Sequence, residues 1–154
     1  MLSIQDKNIC SSIFFNLTDL QCQGQNSYNY FSCYQMPTSS SMTIRFEFQG
    51  HWYIDDVNIV QNSTDISLII NGDFESNLTN WIVNSSEIYV DRNPNLAHTG
   101  SAYLVGRSQD QLNSIEQTFH VQFDQWIEIS FWWKYDAESN QTNDNLCQAI
   151  GQLI

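Results

Sequence analysis

Hydrophobic and polar residues alternate with a period of two along most of this chain. In TIRFEFQ, Ile44, Phe46 and Phe48 face one way and Thr43, Arg45 and Glu47 the other. In IEQTFHVQF, Ile115, Phe119, Val121 and Phe123 oppose Glu116, Thr118, His120 and Gln122, with Gln117 standing on the apolar side. In WIEISFWWKY, Ile127, Ile129, Phe131 and Trp133 oppose Glu128, Ser130, Trp132 and Lys134. Such alternation predicts half-buried strands. Turn-forming runs separate them, PTSSS at 37–41, NSTD at 62–65, RNPN at 92–95 and SNQTND at 139–144, and no segment carries a helical stripe. The pattern predicts an all-β antiparallel fold, a sandwich or jelly roll.

The chain also echoes itself. DKNIC at 6–10 matches NDNLC at 143–147, 137 positions later, a spacing of about one sandwich domain. This predicts a piece of a tandem-repeat protein cut out of phase, starting and stopping in equivalent strands. Two separated half-domains would each expose an apolar face. Burial therefore favours closure of residues 1–60 and 68–154 on each other through a linker at 61–67, as one sandwich. Residues 6–15 and 145–154 then compete for one strand position or lie side by side at an edge.

Composition narrows the partners. Of 154 residues, 42% are hydrophobic, enough to close a core, and 5 Lys+Arg face 17 Asp+Glu for a net charge of −12. Such a chain repels phosphate backbones and anionic lipid, so nucleic acid is excluded as a partner. No apolar run reaches the roughly 18–20 residues of a membrane span, so no insertion is expected. The start, MLSIQDKNIC, lacks the basic and apolar regions of a signal peptide. Five Asn-x-Ser/Thr sites, at Asn16, Asn62, Asn77, Asn84 and Asn140, all fall in expected loops and point to an extracellular or cell-surface glycoprotein. Four cysteines point the same way. Their spacing does not fit paired zinc ligands. Cys22 and Cys33 bracket QGQNSYNYFS, which a disulfide would close as a hairpin or loop, worth about 2–3 kcal/mol. Cys10 and Cys147 are repeat equivalents with partners outside the chain or in a neighbouring strand.

Four stretches together carry a family resemblance: NGDFES with Trp81 behind it, AHTGSAYLVG at 97–106, SIEQTFHVQFDQWIEISFWWKYD at 114–136, and MTIRFEFQGHWYIDDVNI at 42–59. The chain resembles the galactose-binding-like jelly rolls, which include carbohydrate-binding modules of glycoside hydrolases and discoidin-like domains. The closing IDDV strand comes first here, so the resemblance implies a circularly permuted order. Locally, Asn71-Gly72 is read as a turn feeding a strand at Phe74, with Gly72 supplying backbone freedom. Phe74 and Trp81 are expected to pack at the end of the sandwich.

The resemblance further implies a structural calcium, with Asp55, Glu75 and carbonyls around His98 and Thr99 at the matching positions. Asp73 and Asp56 are neighbours able to substitute. Strand alternation sends Asp55 and Asp56 to opposite faces, which selects Asp55. The competing reading is that these carboxylates are solvated groups protecting a sheet edge. A sugar-binding face needs exposed rings beside polar side chains. The outward register offers Trp132 with Glu128, Ser130 and Lys134, joined by Tyr103, Arg45, Glu47 and His120 from other strands and by Tyr28 and Tyr30 at the rim. The competing reading is that a loop or a neighbouring repeat covers Trp132. Catalysis finds no support: His51, His98 and His120 are scattered, and no nucleophile, phosphate-loop or metalloprotease motif occurs. The expectation is a non-catalytic extracellular module that binds glycan or an extracellular protein, next to repeats of its own chain. Its rivals are a spacer without ligand and an appendage of a hydrolase.

Overall fold

In the computed structural model the described residues are 7–18, 27–61, 64–136 and 147–154. They form an all-β antiparallel sandwich of eight strands: β1 (Ile13–Thr18), β2 (Asn29–Gln35), β3 (Ser41–Gln61), β4 (Ile82–Val83), β5 (Ile88–Arg92), β6 (Ala102–His120), β7 (Ile127–Tyr135) and β8 (Gln148–Leu153). Two very long strands, β3 and β6, run through both layers. The first half of β3 pairs with β8 and the end of β6, giving a leaf ordered β1-β8-β3-β6-β4. The second half pairs with β7 and the start of β6, giving a leaf β2-β7-β3-β6-β5. β3 changes leaf at Gly50, whose φ of 97° suits only a residue without a side chain. The β3–β6 register slips between Phe48 and Gly50.

The alternation read from the sequence fixes what lies between the leaves. Ile127, Ile129 and Phe131 of β7 point inward with Ile44, Phe46 and Phe48 of β3, all buried. The leaves meet through rings: Phe46 and Phe131 stand edge to face at 5.0 Å, and Phe15 of β1 meets Phe131 at 5.2 Å. Three buried amides are explained by backbone they serve. Gln117, the polar residue on the apolar side of β6, donates through Nε2 to Ile70 O and accepts from Ile70 N. It stands in for a missing strand neighbour. Gln61 does likewise for Gln122 and Gln125. Asn113 donates to Arg107 O and to Glu87.

The two portions of the chain interleave. β8 lies between β1 and β3, so strands from the N-terminal and C-terminal ends of the chain sit side by side, while residues 8–10 run along β2 instead. The stretch 67–72 runs beside 57–59: Val57 N–H donates to Gly72 O at 2.9 Å and Leu68 N–H to Ile59 O at 2.7 Å.

Three local expectations are corrected. Phe74 is not in a strand; residues 72–80 are turns, and Phe74 has φ 58°. It is nevertheless fully buried and packs on Trp81 at 5.5 Å. Gly72 is not needed for its own dihedral. An added Cβ would lie 1.9 Å from Val57 O, so close backbone approach explains it. Phe123 lies past the end of β6, on a turn, and is exposed.

The cysteine pairing also differs. Cys33 bonds Cys10, not Cys22. Cys22 lies outside the described residues; Cys147 is disulfide-bonded too. The Cys10–Cys33 bridge clamps residues 8–10 along the free edge of β2, where Cys10 N–H donates to Tyr34 O and Tyr34 N–H to Asn8 O. The edge residues Asn8 and Ser32 are also joined, Nδ2 to carbonyl, at 3.0 Å. Spacing in sequence gave no clue to this non-local strap. Closing a loop across a separation of 23 residues is worth about 3 kcal/mol. Cys10→Ala with Cys33→Ala is expected to lower unfolding free energy by that amount in urea titration.

Candidate functional site

The outward face of the second leaf collects the unusual residues. Cross-strand register puts Tyr30, Trp132 and Asp55 in one row over β2, β7 and β3. The loop 93–101 folds over one end of this face. Beneath it lies a small second core of Tyr53, Tyr103 and Val105, with Tyr28, Leu96 and Ala97 against it. Burial raises the phenols of Tyr28, Tyr53 and Tyr103 well above their usual range. Their hydroxyls donate to Leu96 O, Asp136 and Asp91 respectively.

Tyr103 is thus removed from any ligand surface, being 1% exposed. Arg45, Glu47 and His120 also fall away from Trp132. They belong to the halves of β3 and β6 that lie in the other leaf, where Arg45 forms an ion pair with Glu116 at 2.6 Å.

The loop is held by carboxylates. A bulge in β3 sets Asp56 and Val57 against Phe131 alone, and Asp56 takes φ 51°. Alternation breaks there, so Asp55 and Asp56 reach the same loop rather than opposite faces. Asp55, fully buried, accepts from Asp56 N at 2.8 Å, His98 N at 2.9 Å and Thr99 N at 3.3 Å. Burial and the neighbouring Asp56 charge push its carboxyl up to about 7, against the pull of those amides. Asp56 accepts from His98 Nδ1 and from Thr99 Oγ1, each at 2.6 Å. Glu75 accepts from Ser101 N at 2.7 Å and Ala102 N at 2.9 Å. The Ala102 and Ser101 amides hold Glu75 below the usual carboxylate range. Gly100, at φ 62°, carries the loop past Glu75 so tightly that a Cβ would lie 2.2 Å from Oε1.

These contacts test the calcium expectation. Asp55, Glu75 and Thr99 do converge on one loop. The groups that meet the carboxylates are N–H and O–H donors, two of them from Thr99. A calcium ion needs oxygen lone pairs from several directions. Here donors take three of the four lone pairs of Asp55 and two of the four of Asp56, so the carboxylates staple the loop while Asp56 keeps oxygen lone pairs that an ion could take.

Comparison with protein-family models, with curated proteins and with solved structures returns no significant match.

Beyond the loop the face lies open. His98 stacks on one side of the Trp132 indole at 4.0 Å and 17°, and Tyr30 leans on it at 5.0 Å. Trp132 is therefore half-covered, and Tyr30, 53% exposed, is the open ring. Register continues the shelf with Ser32 opposite Ser130, Tyr34 opposite Glu128, and Asn58 beside Ser130. Tyr34 hydrogen-bonds Glu128, and Lys7 Nζ sits 4.1 Å from the Tyr34 ring centre. Lys134 lies toward the loop, 5.6 Å from the Tyr53 ring. The sequence had marked Trp132, Glu128, Ser130 and Lys134. It missed Tyr34 and Asn58, which join only through register, and His98 as the cover of Trp132.

Proposed function

We propose that this chain is a non-catalytic, extracellular binding module whose shelf on β2, β7 and β3 takes a glycan. What supports the reading is an exposed ring, Tyr30, beside Trp132, with Ser32, Ser130, Asn58 and Glu128 following on the same face of the leaf. Aromatic faces stack on sugar C–H groups while such side chains bond hydroxyls. Tyr30 and Tyr34 are four residues apart on β2, about 13 Å at roughly 3.3 Å per residue. That span suits an oligosaccharide better than a single sugar. The four motifs of the galactose-binding-like resemblance agree with this role, as does the all-β sandwich. Among the described residues no helix is long and apolar enough to cross a membrane.

A second reading is a spacer that binds nothing. The observation that favours it is His98, which occupies one face of Trp132. A glycan array with the purified chain separates the two. Binding is expected, with Tyr30→Ala weakening it at least tenfold and Trp132→Ala by a similar factor. An array without hits, at concentrations where the chain is folded, leaves the spacer.

A further inference from the structure

We propose that Asn16 and Asn84 carry N-linked glycans that cap the two edges of the first leaf. Each heads an Asn-x-Ser/Thr sequence, Asn16-Leu17-Thr18 and Asn84-Ser85-Ser86. The expectation that all such sites lie in loops is corrected at Asn16, which is inside β1 and exposed. Asn62 and Asn140 lie outside the described residues. The leaf runs β1-β8-β3-β6-β4, so β1 and β4 are its edges. Asn16 is on the first and Asn84 directly follows the second.

The two sites also share one cross-strand row. Asn16 opposes Ile150, Ile150 opposes Glu47, and Glu47 opposes Ser114. Ser114 then meets Asn84: its N–H donates to Asn84 Oδ1 at 2.8 Å and its carbonyl accepts from Asn84 N at 3.2 Å. Four strand spacings of about 4.8 Å place the sites about 19 Å apart. Asn84 spends Oδ1 on the fold. Among the described residues the Nδ2 of neither Asn16 nor Asn84 makes a hydrogen bond. Nδ2 is the atom that reacts. It bonds the anomeric carbon of an oligosaccharide carried on a polyprenyl diphosphate and gives up one proton. The anomeric C–O bond breaks and the diphosphate leaves with the lipid.

Both edges need protection. An open edge offers unpaired backbone groups to another chain. Each edge here adds an exposed isoleucine, Ile13 on β1 at 49% and Ile82 on β4 at 66%. The surface between them is polar, with Thr43 bonded to Thr118 and Arg45 to Glu116. A hydrated glycan at each end of the row blocks lateral pairing and leaves the aromatic shelf of the other leaf bare. Asn77, the third described site, lies on the 72–80 turns rather than on an edge strand, and its Oδ1 accepts from Arg92 Nη2.

The test uses the full chain, secreted from eukaryotic cells behind a leader. Glycopeptide mapping is expected to find both Asn16 and Asn84 occupied. Sedimentation is expected to show a monomer that self-associates at least tenfold more tightly after enzymatic removal of glycans from the folded protein. Thr18→Ala with Ser86→Ala, which spares both asparagines, is expected to reproduce that change, and Asn77→Gln is not. An unmodified Asn16 or Asn84 in the secreted monomer overturns the proposal, as does a deglycosylated chain that stays monomeric to the same concentration. Occupied, edge-capping sites with an empty glycan array would remove the sugar-binding reading alone.

Discussion

Gly72→Ala is expected to destabilise the fold by about 3 kcal/mol, combining overpacking with a lost buried backbone hydrogen bond. For a domain of this size that corresponds to a fall in Tm of about 6–12 °C. The cause is contact rather than conformation: Gly72 is not among the residues of positive φ. Its missing Cβ would sit 1.9 Å from Val57 O and 2.9 Å from Val57 C, both backbone atoms that no rotamer change can move. Relief requires residues 70–73 to lift from β3. That motion breaks the Val57 N–Gly72 O bond and loosens Ile69, Phe74 and Trp81, which are buried behind it. The same contact joins the portion ending at β3 to the portion that begins after it, so loosening it acts on the seam of the whole sandwich. Thermal unfolding followed by circular dichroism measures the effect. A change within 1 °C would mean that 67–72 does not press on 57–59 as described.

That seam illustrates what could be read in advance. Period-two patterning assigned the faces of β7 residue by residue, and of the first half of β3, because burial of one face is a local property. It could not name partners. β3 continues through Gly50 to Gln61 because a bent strand can serve two leaves, and nothing in the alternation marks the change. The same limit hid the Cys10–Cys33 strap, whose two ends meet only once β2 becomes an edge. Asp55 and Asp56 were assigned to opposite faces by a rule that holds only in regular strand. An aspartate pair is a tolerable signal for a left-handed bulge, where the two side chains need not take opposite faces. Trp132 was correctly read as outward-facing. The His98 ring that covers half of it comes from a loop whose path no periodicity predicts.

The Asp55 staple leads to the second large effect, a stability that falls as pH rises from about 4 to about 7. Unfolded, Asp55 titrates near 3.8; folded, burial and Asp56 hold it at about 7. A carboxyl raised in the folded state binds its proton more tightly there than in the unfolded chain. Its contribution is therefore favourable below this window and is lost as pH climbs through it. Discounted for solvent screening, the span corresponds to about 2 kcal/mol. Glu75 works in the opposite sense. Its carboxyl is lowered by the Ala102 and Ser101 amides, so its grip is present when ionised and fades on acidification. Both ends of the loop are held best in mildly acid solution, where Glu75 is ionised and Asp55 is protonated. Urea unfolding at pH 5.5 and pH 8 is expected to show the wild type clearly more stable at the lower value. Asp55→Asn cannot ionise, and it turns an amide toward donors that the carboxylate had accepted. It is expected to be less stable than wild type at pH 5.5 and to close most of that gap at pH 8. A difference between the two proteins that does not change with pH would show that Asp55 is ionised throughout and that its three amide donors outweigh its burial.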